Sequence, residues 1–220
     1  MRKRTLYWLL GSAALLVVSI VLFGFIYLNE NNKADLSANG IQSEWLKAQP
    51  DINLLKSGDL IFRKGRGFIS NSLVLFSHQD KRYSHSGIIS FDHGKPYVLH
   101  SIGGEDNISK KLRKESLASF CNPNANHCFG IYRLDLNAQQ SRKLDSIANY
   151  YYKTGLEFDT DFDLATDNKM YCTEFIYKSL FAVNHDKNYI PLSIVSGKTY
   201  VACDNLYLNP HATKIYYFEY

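Results

Sequence analysis

Apolar and polar residues are distributed very unevenly along this chain. The first four residues, "MRKR", carry three basic side chains, and "TLYWLLGSAALLVVSIVLFGFIYL" then runs from position 5 to position 28 without a charge. A helix needs about 20 such residues to cross the hydrocarbon core of a bilayer, so the run predicts a membrane-spanning helix. A cleavable leader has a shorter apolar core and ends on small residues. The exit here, "FIYLNENNK", is of neither kind and predicts an uncleaved signal anchor. Residues 1–4 form a basic end expected on the cytoplasmic side, which places everything after position 28 outside the cytoplasm. Residues 29–50 are mostly polar with a few helix formers and read as a stalk ending in a short helix.

From Asp51 the pattern changes to short periodic segments, and a folded domain is expected over residues 51–220. "SGDLIFRKG" reads as a turn and a strand, and "GRGFISNSLVLFSHQD" has weak helical spacing. "HSGIISFDHGKPYVLHSI" reads as two strands around a turn at Asp92-His93-Gly94-Lys95. "KKLRKESLASFC" looks helical and "FGIYRLDL" is strand-like. In "NAQQSRKLDSIANYYYKTG" the residues Leu144, Ile147, Ala148 and Tyr151 fall on one helical face, with Gly155 as the stop. "DNKMYCTEFIYKSLFAVN" places Cys172, Phe175, Ile176, Leu180 and Val183 on another, and "TKIYYFEY" resembles a final strand. Consecutive strands with separate helices favour an α+β domain over a doubly wound sheet.

Composition narrows the function classes. The 220 residues carry a net charge of +4, of which Arg2, Lys3 and Arg4 supply three, so the remainder is nearly neutral. A nucleic-acid role through a basic surface is therefore not supported. There is no H-E-x-x-H motif or paired C-x-x-C, and no metal site is expected. His78, His93, His127, His185 and His211 read as surface or loop residues, Asp59 as a turn residue and Asp159 as structural.

The cysteines gain meaning from the expected compartment. Cys121 and Cys128 bracket the turn-rich "CNPNANHC" and are expected to close a small disulfide loop in an oxidising environment. Cys172 and Cys203 remain, either as a pair or with one of them reactive. Cys172 stands at the first turn of its predicted helix. Unpaired N–H groups and partial positive charge there favour a thiolate, and the same N–H groups can stabilise a developing oxyanion. His85, at the mouth of the strand in "RYSHSGIISF", is the imidazole that such a thiol would need.

Five stretches, "SGDLIF", "YSHSGII", "YVLHS", "GLEFDTDF" and "YCTEFIYKSL", occur in the order found in circularly permuted papain-like cysteine hydrolases. Over roughly residues 55 to 215 the chain resembles the YiiX/YebB-like group of the NlpC-type superfamily, and more distantly lecithin retinol acyltransferase. The resemblance implies an antiparallel sheet packed against helices, with the cysteine opening a helix and the histidine preceding it in sequence. Carried over, Cys172 matches the nucleophile and His85 the base. His100 in "YVLHS" takes the place of the residue that orients the base, with Glu105 as the alternative. Tyr83 and Tyr171, each flanking a catalytic stretch, are candidates for lining the substrate pocket. No cofactor is implied. The substrate expected is an amide in a cell-wall peptide of the envelope. Lipid acyl groups, hydrolysed or transferred, are the alternative, and an inactive envelope binding or scaffolding module is the second.

Overall fold

The computed structural model describes residues 38–104, 107–195 and 197–220. The apolar run at positions 5–28 and Glu105 lie outside the described residues. Among those described, no helix is long and apolar enough to cross a membrane. The chain divides into two units, residues 1–43 and 44–220. Of the first, only the beginning of helix α1 (Ala38–Ala48) is described. The second unit includes the rest of that helix, and its Trp45 and Ala48 belong to the core described below.

Six strands form an antiparallel sheet in the order β4-β3-β2-β1-β5-β8, with β1 Leu60–Gly65, β2 His85–Asp92, β3 Lys95–His100, β4 Arg113–Ser116, β5 Asn126–Leu134 and β8 Ala212–Glu219. A two-stranded ribbon, β6 (Ser193–Val195) and β7 (Lys198–Tyr200), stands apart. Short helices α2 (Phe68–Leu73), α3 (Leu117–Phe120) and α6 (Cys203–Tyr207) occupy connections. The two long helices are α4 (Ala138–Thr154) and α5 (Cys172–Asn184).

Strand alternation sorts the core into two layers. Leu60, Phe62, Ile88 and Leu99 face Leu144 and Ala148 of α4 and Phe175, Ile176 and Leu180 of α5. Ile61, Ile89, Val98, Phe129 and Ile131 face the other way, onto Leu117 and Phe120. Helix α4 ends where the sequence stops it: Asn137 caps the N-terminus with Gln140 as its reciprocal partner, and Gly155 takes the left-handed conformation at φ 73°.

Two expectations are corrected. "KKLRKESLASFC" is not one helix; Arg113–Ser116 is strand β4, and only Leu117–Phe120 turns helical. Pairing with β3 decides this, because Val98 and His100 find their partners in Glu115 and Arg113. The second correction concerns the disulfide. Cys121 and Cys128 are unpaired. Cys128 belongs to the layer under α4 and α5, whereas Cys121 closes α3 in the opposite layer, so the sheet separates them.

Candidate active site

Helix α5 begins at Cys172, with Tyr171 as its N-cap residue. Both residues beside Cys172 are tied to Val201. The Tyr171 hydroxyl accepts from the Val201 N–H at 2.9 Å, and the Thr173 hydroxyl donates to the Val201 carbonyl at 2.7 Å. One turn further, the Glu174 carboxylate reaches back to accept the Tyr171 N–H at 3.1 Å and is paired with Lys178 at 3.0 Å. Glu174 is fully buried, and that burial pushes its carboxyl up to about 7. The start of the helix is thus held on three sides, and the Cys172 side chain has little freedom beyond its own rotamers.

Helix α5 packs on β2, and the residue it meets there is Ser86. Among the described residues the Ser86 hydroxyl has no oxygen or nitrogen partner; it lies against the Cys172 thiol, which the Ser86, Thr173 and Cys172 N–H groups also approach. These contacts favour the thiolate. Burial outweighs them, and the thiol is held above its ordinary range. Cys203, which opens α6 two residues after Val201, is raised further, by burial first and then by Cys172.

His85 precedes Ser86 and therefore turns to the other face of the strand. Its ring lies against Phe120 at 5.7 Å, and its Nε2 faces the Nδ1 of His100 at 2.8 Å. Gly87 makes this possible: a Cβ there would collide with Val98 and crowd the Cβ of His100. The Nε2 of His100 is in turn 3.5 Å from the Glu115 carboxylate, which Arg113 holds at 2.8 Å. Tautomers follow from this chain. The Glu115 carboxylate is at ion-pair rather than hydrogen-bond distance, and it favours a proton on the Nε2 of His100, which leaves Nδ1 to accept. His85 then carries its proton on Nε2, and its lone pair sits on Nδ1. Burial, followed by the Arg63 guanidinium and by His100, holds the His85 imidazole well below its usual range. The Arg63 guanidinium lies 4.5 Å over the Phe120 ring.

The expected residues are therefore distributed as follows. His85 and His100 are brought together. Cys172 is brought to the same strand as His85, at Ser86, on the opposite face of β2 from the two histidines. Among the described residues no hydrogen bond joins the Cys172 sulfur to His85, and both groups rest neutral. Glu115 joins the histidines, and sequence reasoning missed it because its strand was read as helix. The two tyrosines are both buried. Tyr83 is wholly buried, stacked on Phe62 and bonded to the Tyr132 hydroxyl at 3.2 Å. Tyr171 is buried with its hydroxyl committed to Val201. Asp159 builds a turn by accepting from the N–H groups of Asp161 and Asp163.

Beside Tyr171 lies an aromatic cluster of Phe158, Phe162 and Tyr200, with Phe162 and Tyr171 5.2 Å apart. Among the described residues no group of three or more His, Cys, Asp or Glu side chains is placed to hold a metal ion.

Residues 54–210 match the model of a family described as permuted papain-like amidase enzymes, YaeF/YiiX, C92 family. The uncharacterized protein YiiX of Escherichia coli strain K12 is 27% identical over 125 residues, which are 56% of this chain and 56% of that protein. The match thus spans about half the length of the curated relative. Among solved structures, that of YiiX from Escherichia coli O157:H7, described as a metalloprotein, superposes with a TM-score of 0.61 at 20% identity. It covers 75% of this chain and 98% of the other.

Proposed function

Since the chain belongs to the permuted papain-like amidase family, we propose that it is a membrane-anchored, extracytoplasmic cysteine hydrolase in which Cys172 attacks an amide carbonyl and His85 is the base. The observation that carries this reading is Cys172 at the opening of helix α5, where its own N–H and those of Ser86 and Thr173 approach the sulfur; the His85–His100–Glu115 chain stands at the adjacent strand position, on the other face of β2. A neutral thiol beside a neutral imidazole is not a preformed ion pair. The two groups stand on opposite faces of β2, so the proton passes to His85 only once the strand end that carries it turns toward Cys172, and that turn is a step of the reaction. The tetrahedral oxyanion is received by the N–H groups that open α5, and the amine leaves with the proton from His85. Water activated by the same imidazole then releases the acid from the acyl-enzyme.

An amide in a cell-wall peptide suits the expected compartment. A second reading, hydrolysis or transfer of a lipid acyl group, is favoured by the Phe158, Phe162 and Tyr200 cluster beside the Cys172 helix, which offers an acyl chain an apolar wall. The inactive scaffold is the reading that the experiment must exclude. Hydrolysis of a panel of peptide amides and acyl amides or esters, with mass spectrometry of the trapped acyl-enzyme, tests all three. Activity lost on Cys172→Ala with the fold retained supports an enzyme. A panel equally inert before and after the substitution, with no acyl adduct on Cys172, refutes it.

A further inference from the structure

Between β1 and β2 the chain makes an excursion, residues 66–83, whose two ends are closed on each other. The Ser84 N–H donates to the Arg63 carbonyl at 2.9 Å, and the Gly65 N–H donates to the Ser84 hydroxyl at 3.1 Å. The tip of this excursion is built against the usual sense of burial. Phe68 is 86% exposed, Ile69 and Leu75 are each 67% exposed, and Phe76 is 42% exposed. The underside is fixed. Val74 is buried, and the Tyr200 hydroxyl donates to the Phe76 carbonyl at 2.7 Å. The Asp204 carboxylate accepts the His78 and Gln79 N–H groups, each at 2.8 Å, and the Tyr207 hydroxyl donates to the Asp80 carbonyl at 2.8 Å. The apolar side chains are therefore presented outward by a tethered backbone.

Both bases of the excursion are cationic. Lys64 and Arg66 lie at one end, and Lys81 and Arg82 at the other; facing these four are Asp80, paired with Arg82 at 3.2 Å, and Glu219, two strands across from Lys64. An apolar tip above a cationic collar complements one surface in particular: acyl chains meet the tip while anionic headgroups meet the collar. We propose that residues 66–83 dock the domain onto an anionic lipid bilayer, with Phe68, Ile69, Leu75 and Phe76 entering the interface. This goes beyond the reading of Cys172 as a nucleophile and does not depend on it. The two are spatially continuous, however. Phe76 stacks on Phe162 at 6.2 Å, and Phe162 packs on Tyr171, the residue before Cys172.

The test uses the full chain with vesicles of brominated phosphatidylcholine and phosphatidylglycerol. Phe68→Trp places a fluorophore at the tip and Leu54→Trp places one at an exposed position on a different connection; each is read against the parent, whose own tryptophans supply the background. Docking predicts that the emission added by Phe68→Trp shifts to the blue and is mostly lost to bromine quenching, while that added by Leu54→Trp is not. Equal quenching at the two positions overturns the proposal. So does self-association in detergent that Leu75→Glu abolishes, which would make a second copy of the chain the occupant. Repeating the measurement on Cys172→Ala keeps the outcome separate from that of the catalytic reading, because docking needs no turnover.

Discussion

Two histidine–carboxylate contacts in this molecule look alike on paper and differ in consequence. His211 meets Asp135 at 2.8 Å on the surface, stacked on Tyr189 at 4.5 Å, with the Tyr189 hydroxyl also on Asp135. His100 meets Glu115 at the longer distance of 3.5 Å, but it is fully buried and its other nitrogen is engaged by His85. The shorter contact is screened by water and competes with it. The longer one acts where solvent does not, and it determines which nitrogen of each ring carries a proton. Environment and connectivity, more than separation, decide which pair can direct chemistry.

The comparison is broken most directly at His85. His85→Ala should reduce turnover by roughly 10²–10⁴-fold if the imidazole is the base. The resting thiol is neutral, so iodoacetamide labelling of Cys172 should proceed at nearly the wild-type rate; a large fall in labelling would instead reveal a standing ion pair. The same variant should remove part of the acid sensitivity of the fold. The imidazole is depressed in the folded state, so its contribution to stability is present above the ordinary histidine range and is lost as pH falls through and below it. Urea midpoints measured between pH 7 and pH 5 check the sign.

Glu115→Gln comes next. It keeps the shape and removes the charge that sets the tautomers, and a loss of about 10–100-fold in kcat is expected, as for other residues that orient an active group. Full activity would show that His100 alone orients His85. Glu174 acts with the opposite sign to His85. Its carboxyl is raised to about 7, so its contribution is present below the ordinary glutamate range and is lost as pH rises through 7. Glu174→Gln should flatten that loss, by about 1–2 kcal/mol between pH 5 and pH 8, in denaturation followed by circular dichroism. The smallest effect is expected at the surface pair: Asp135→Asn should change stability by less than about 0.5 kcal/mol and leave turnover untouched.

The strand bearing His85, the helix opened by Cys172 and the hairpin that brings His100 to His85 were legible in the sequence, because each couples an apolar period to a polar residue at its end. Glu115 was not. "KKLRKES" is rich in helix formers, and only its pairing with β3 makes it a strand; Glu115 then reaches His100 diagonally across that pair, since its direct partner is Val98. Cys121 and Cys128 were misread for a related reason. Their spacing in the chain is short, but a sheet layer lies between them. Ser86 was passed over because parity along a strand gives the two faces to adjacent residues, and the sequence does not say which of them a helix will cover.

The hydrogen bonds that tie Tyr171 and Thr173 to Val201 have a consequence for the order in which the molecule is made. Cys172 is synthesised well before Val201, and the last strand, β8, follows later still to complete the sheet beside β5. A nascent chain that has just exposed its cysteine has neither the Val201 contacts that align the start of helix α5 nor the strand that completes the sheet at β5. Nucleophilic capacity is thus deferred until Val201 and β8 have emerged, by which point the strands and helices before them are available to fold around the thiol.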